Sequence, residues 1–122
     1  MLVRILFALL WVVVAILCIW LGLASKRGTL KRNDFAGYRL PVIQQSEETW
    51  KVAHDAAWKW TTAMAVGPAV GVVGTICARS EEGIVWWALI ATIVVTVTCV
   101  GGTVSAIRAA KKVSAGTSEV DK

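Results

Sequence analysis

"ILFALLWVVVAILCIWLGLA", residues 5–24, runs for twenty positions without a charged side chain. As a helix rising 1.5 Å per residue it measures about 30 Å, the thickness of a bilayer's hydrocarbon core. Thirteen of the twenty are Leu, Ile, Val or Phe. Each favours mid-membrane by about 0.3–0.6 kcal/mol, so the segment inserts unaided by several kcal/mol. Two further charge-free runs follow, 61–78 and 84–107. The last holds eleven such residues and inserts in the same way. The middle one has only five, with Pro68 and three glycines, and needs neighbours. A 122-residue chain that is 57% hydrophobic is therefore read as one all-α integral membrane domain with three transmembrane helices.

Residues 5–24 are too long for the roughly 7–15-residue apolar core of a signal peptide, and Lys26 and Arg27 follow as a stop-transfer flank. We expect the segment to be retained as a span. Lys and Arg counts then set the orientation. The loop 25–60 carries seven, the loop 79–83 one, and the segment after 107 four. Both basic regions fall on one side, so the long loop and C-terminus are expected in the cytoplasm and the N-terminus outside, with Arg4 dissenting. The net charge of +5 then speaks of an anionic inner leaflet, each Lys or Arg near it contributing about 1 kcal/mol. No basic helix or aromatic platform stands clear of the membrane, which argues against nucleic acid. Trp20, Trp58 and Trp60 at one interface and Trp86 and Trp87 at the other read as aromatic belts. Trp11 lies deeper, where it should pack on another span.

Within the middle run, Ala63, Gly67, Gly71, Gly74 and Ala78 recur at three or four residues. Small residues on one face let helix backbones approach where lipid removes the hydrophobic drive. Pro68 deprives the Met64 carbonyl of its helical partner and predicts a kink, either inside a packed helix or as a hinge at Gly67–Pro68. In the third run, Thr92, Thr96, Cys99 and Thr103 make a mildly polar stripe, read as packing before substrate path. Cys18, Cys77 and Cys99 lie inside spans, without the spacing of a disulfide framework or metal site. The spans hold no ionisable Asp, Glu, Lys, Arg or His, which disfavours a pump or exporter.

The remaining chemistry is concentrated in the loop. Asn33-Asp34, Gly37 and Pro41 punctuate its first half, and Pro41 pushes Leu40 to an extended backbone. Ser46 is a helix N-cap candidate, with Glu47 and Glu48 suited to the positive helix end. From there to Trp60 the pattern is helical. Trp50, Ala53, Ala57, Trp60 and Thr61 share one face, and Glu48, Lys51, Asp55 and Lys59 the other, with Glu47/Lys51 and Asp55/Lys59 spaced as i,i+4 pairs. Such a stretch predicts an interfacial amphipathic helix lying in the headgroup plane. His54 falls in the apolar arc with no Ser, Cys or second acid placed for a relay, so it reads as ordering the loop or as part of a docking surface. Asp34, Glu47, Glu48 and Asp55 do not form a metal set. Arg39, between Tyr38 and Leu40-Pro41, suits a lipid phosphate, a helix C-terminus or a partner carboxylate, or else snorkels to the headgroups. The segment 108–122 reads as a basic, disordered tail.

These residues carry a resemblance. "NDFAGYRLP" (33–41) followed by "SEETWKVAH" (46–54) resembles the signature of the SdpI family of bacterial membrane proteins. Asn33, Gly37, Arg39, Pro41, Ser46, Glu48, Trp50 and His54 match it, and Leu40 stands where Thr is common. The resemblance implies a multi-pass protein of the bacterial cell membrane. The family's namesake is a longer, six-span immunity protein against a membrane-active peptide toxin, and it signals by holding a repressor at the membrane.

The expectation is therefore a non-enzymatic interaction protein without catalytic residues or cofactor. Its candidate binding residues are Asn33, Gly37, Tyr38, Arg39, Pro41, Glu48, Trp50 and His54, and its packing residues Gly67, Pro68, Gly71 and Gly74. Expected partners are anionic lipid, a membrane-inserted peptide or partner protein, a cytoplasmic regulator and, as an open alternative, further copies of the chain. The rival reading is an accessory or assembly subunit of a larger membrane complex.

Overall fold

The computed structural model describes residues 1–33 and 37–120, with side chains described through residue 116. Asp34 of the Asn33-Asp34 turn signal, and the last residues of the basic tail, lie outside what is described. Five helices follow in order: α1 (Leu2–Arg27), α2 (Pro41–Gln44), α3 (Glu47–Ala63), α4 (Val66–Cys77) and α5 (Glu81–Val120). Three helical segments are long and apolar enough to cross a membrane: Leu2–Arg27, Glu47–Cys77 and Glu81–Gly116. The fold is that of an all-α multi-pass membrane protein.

Local chemistry sets the helix ends. Gly28, at φ 70° and ψ 16°, takes the left-handed conformation that closes α1, and the Thr29 N–H reaches the Ala24 carbonyl at 3.1 Å. Between α3 and α4 the helix breaks at Met64–Ala65. Pro68 has no N–H to offer the Met64 carbonyl, so the ladder is interrupted there and resumes with Ala69 N–H to Ala65 O at 3.0 Å. The helix is interrupted at the expected place, one turn before the proline.

Contacts along the chain fix the topology. Gly101 sits beneath the Trp60 ring, Gly67 against Val95 and Ala91, and Gly74 against Trp87. These pairs step evenly in opposite directions, so α3 and α4 together run antiparallel to α5. α1 runs antiparallel to the same pair: Gly22 abuts Thr62, Trp11 covers Gly71, and Arg4 reaches the end of α4. The result is an up-down-up bundle in which the glycine-bearing helix touches both others. A Cβ on Gly67 would lie 2.5 Å from Val95 Cγ2, and one on Gly71 2.6–2.8 Å from the Trp11 ring. Close approach of backbones is the packing mode of this bundle, and the small face of α4 is filled by the chain itself.

Two expectations are corrected. α3 does not lie flat: its register on α5 continues that of α4, so it stands along the bundle axis. Its apolar arc meets protein rather than lipid. Trp50, Ala53 and Ala57 are buried together with Leu30, Ile43, Ala106 and Ala110, because alanines on both helices allow them to close up. The segment after residue 107, expected as a disordered tail, continues α5 as helix to Val120. Ala110 is buried in this cluster, and Ser114 Oγ lies 3.3 Å from Gln45 Oε1. Residues 105–112 are also good helix formers.

At the opposite end, Arg4 Nη1 stands 3.0, 3.0 and 2.8 Å from the carbonyls of Thr75, Ile76 and Ala78. A cation there satisfies the unpaired carbonyls and negative end of α4. The basic residue that dissented from the charge count thus has a local task.

Gly71→Val should destabilise the bundle by about 1–3 kcal/mol through overpacking against Trp11. Gly116→Val, with open space around it, should change little. Thermal unfolding in mild detergent compares the two.

Candidate functional site

Folding the loop back onto the bundle begins at α3. Ser46 caps it as the sequence suggested, its Oγ accepting the Thr49 N–H at 3.1 Å. Thr49 answers by accepting the Ser46 N–H at 3.0 Å and donating to the Ile43 carbonyl at 2.8 Å. This reciprocal box satisfies orphan donors at both positions and ties α2 to α3. Pro41 opens α2 as its first residue, after a Leu40 at φ −73°, ψ 149°. Proline there loses no hydrogen bond, and the extended Leu40 is what its ring imposes.

His54 then joins the two halves of the motif. Its Nε2 lies 3.0 Å from the Tyr38 backbone nitrogen, and its Nδ1 2.8 Å from the Trp50 carbonyl. An amide N–H can only donate, so Nε2 must be the bare acceptor and Nδ1 carries the proton. Both contacts are made by the neutral ring. His54 is buried, its ring 4.1 Å from that of Trp50 and 5.5 Å from that of Tyr38. Trp50 in turn donates from Nε1 to the Leu30 carbonyl at 2.9 Å, holding the start of the loop.

Gly37 precedes Tyr38 with φ 97°, a conformation that side chains rarely adopt, and a Cβ there would collide with His54 Nε2. Only glycine lets the strand pass this close to the imidazole. Tyr38 then plunges between helices. Its hydroxyl is 3.1 Å from Thr61 Oγ1, which itself donates to the Ala57 carbonyl at 3.0 Å, so the phenol is the donor. A Cβ on Gly102 would overlap the Tyr38 hydroxyl, so this glycine makes the slot in α5. Burial pushes the Tyr38 phenol above its usual range, with the Thr61 hydrogen bond pulling the other way.

The structure therefore brings Gly37, Tyr38, Trp50 and His54 into one stack. Asn33 Nδ2 donates to the Lys31 carbonyl at 2.7 Å, bracing the loop's first turn. Arg39 and Leu40 face outward on backbone pinned by Tyr38 and Pro41, and Glu48 is exposed in the first turn of α3. Gly67, Pro68, Gly71 and Gly74 lie one helix away, buried in the bundle. Sequence reasoning passed over Thr49 and Gly101, and it read Thr61 and Gly102 only as residues of packing faces. The Gly-Gly pair interrupting a Val/Thr-rich span was the available signal. All three cysteines are free. Among the described residues no group of three His, Cys, Asp or Glu could hold a metal ion.

This arrangement, a three-helix membrane bundle with a loop clamped through a neutral histidine, defines a small multi-pass membrane protein whose distinctive chemistry sits at one membrane face. A sequence profile of the SdpI/YfhL protein family matches residues 29–105, and the chain belongs to that family. No curated protein and no solved structure matches it.

Gly37→Ala should cost about 1–2 kcal/mol from the left-handed backbone, with the His54 contact added. Amide exchange at Tyr38 would show the clamp loosened. Glu47, Glu48, Lys51, Asp55 and Lys59 set the turns 47–59 apart from the charge-free run 61–78 and argue for a place outside the hydrocarbon; burial pushes His54 below the ordinary imidazole value, the Trp50 carbonyl opposing it. Its folded pKa is depressed, so the unfolded chain binds the extra proton first. Stability should be flat above about pH 6.5 and fall as pH drops below it. His54→Gln should flatten that slope in detergent unfolding scans from pH 7.5 to 5.

Proposed function

We propose that this protein is a non-enzymatic interaction protein of the SdpI type, binding a membrane-inserted peptide or partner protein at the face that carries the clamped loop. The observation that supports it is the outward pair Arg39–Leu40, held on a backbone that His54, Tyr38 and Pro41 immobilise. A guanidinium beside an exposed aliphatic chain suits a peptide with a carboxylate next to an apolar residue. Immobilising the backbone before binding removes part of the ordering cost that a free loop would bear. The small-residue face of α4 is occupied by Trp11, Val95 and Trp87. An incoming helix would therefore meet the lipid-facing sides of α1 and α5 and the loop, not the glycines.

In this reading the loop and the end of α5 face the cytoplasm, where the excess of Lys and Arg places them, and a cytoplasmic regulator has access to both. Immunity against a membrane-active peptide, with occupancy relayed to that regulator, is the biological form that the family resemblance suggests.

Deleting the gene should raise sensitivity to the producing strain's own membrane-active peptides. Complementation with Arg39→Ala should leave the chain inserted, by membrane fractionation, yet fail to restore resistance. Unchanged sensitivity on deletion removes the immunity role. Constant co-purification with one large assembly would favour the accessory-subunit reading instead.

A further inference from the structure

The turn that follows α1 encloses a cleft with a chemistry of its own. Residues 28–32, Glu47 and Lys51 line a cavity of about 520 Å³. Among the described residues three cations, Lys31, Arg32 and Lys51, face one carboxylate, for a net charge of +2. The sequence spacing offered Glu47 to Lys51, one turn apart on α3. The folded chain pairs Glu47 with Arg32 instead, Nε to Oε1 at 3.6 Å, while Arg32 Nη1 donates to the Gln44 carbonyl at 3.0 Å. Lys31 and Lys51 are left as ammonium groups on the same concavity, with no acid paired to them among the described residues.

The walls are built before any ligand arrives. Gly28, Thr29 and Leu30 give their N–H groups to the Ser25 and Ala24 carbonyls, which also neutralises the negative end of α1. The Leu30 carbonyl is held by Trp50 and the Lys31 carbonyl by Asn33. Two motif residues thus act as positioning residues for this turn.

From these features we propose that the cleft between the α1–α2 turn and the first turns of α3 binds a phosphate group, with Lys31 and Lys51 as its charge partners and Arg32 as a fixed neighbour. An anionic lipid headgroup and a free phosphate share this chemistry, and the titration below tells them apart. The site does not depend on the partner-binding reading, since it uses neither Arg39 nor Leu40.

The full chain in nonionic detergent is titrated, by thermal shift, with dihexanoyl phosphatidylglycerol, dihexanoyl phosphatidylcholine and inorganic phosphate. The expected result is saturable stabilisation by phosphatidylglycerol, weakened at least about tenfold in Lys31→Gln/Lys51→Gln, with phosphatidylcholine far weaker. Lys111→Gln/Lys112→Gln removes the same charge from α5 and should shift the midpoint less than about twofold. Competition by inorganic phosphate at comparable concentration would assign the site to the free anion, and absence of competition to the lipid. Equal weakening in both double variants, or no saturable response to either phosphate probe, overturns the proposal. Retained binding in a protein that has lost peptide protection, or the reverse, separates this site from the partner surface.

Discussion

The His54 imidazole ties the middle of the loop to the bundle, between the Trp50–Leu30 and Tyr38–Thr61 hydrogen bonds. His54 spends both ring nitrogens on backbone, donating to Trp50 within its own helix and accepting from Tyr38 sixteen residues upstream. The path of residues 37–39 goes with that bond. It forces Gly37 into positive φ, because only a residue without a side chain fits against the ring. It delivers Tyr38 to the slot between Thr61 and Gly102, and it fixes the direction in which Arg39 leaves the surface. A buried polar ring with both nitrogens satisfied also specifies one loop register, since any slip would leave a donor or acceptor unpaired.

The membrane part is organised by a different constraint. Lipid offers no hydrophobic gain for bringing two apolar helices together, so contact has to come from fit. Here fit means glycine against a large side chain: Gly71 under Trp11, Gly74 under Trp87, Gly101 under Trp60. Tryptophan therefore has two roles. Trp20 and Trp86 are exposed without a glycine beneath them, while Trp11, Trp60 and Trp87 cover depressions left by missing side chains, the last two with part of the ring still exposed.

Much of this was legible in the sequence. Charge-free runs gave the three spans, the proline gave the break between α3 and α4, and Ser46 gave the start of α3. The motif spacing brought Gly37, Trp50 and His54 to notice, and the SdpI/YfhL family match agrees with it. What escaped notice was what each face meets. The amphipathic pattern of α3 states that one side avoids water, but the pattern is the same whether that side finds lipid or Ala106 and Ala110. Periodicity also could not reveal that the segment after residue 107 has a docking partner in Gln45, or that Arg4 closes a helix seventy residues away. Those facts belong to tertiary pairing, which local propensity does not encode.

Forty residues without a break make α5 about 60 Å long. Its first half lies along α4, and its second half forms one wall of the Tyr38 slot and the Trp50 cluster. Its tightest contacts, around Val95 and Gly101, lie near its middle. Rocking it by about 5° carries an end some 3 Å when the pivot is central. A displacement of that size exceeds the clearance at the Tyr38 slot, so an unbroken helix would carry any tilt at its α4 end through to the loop face.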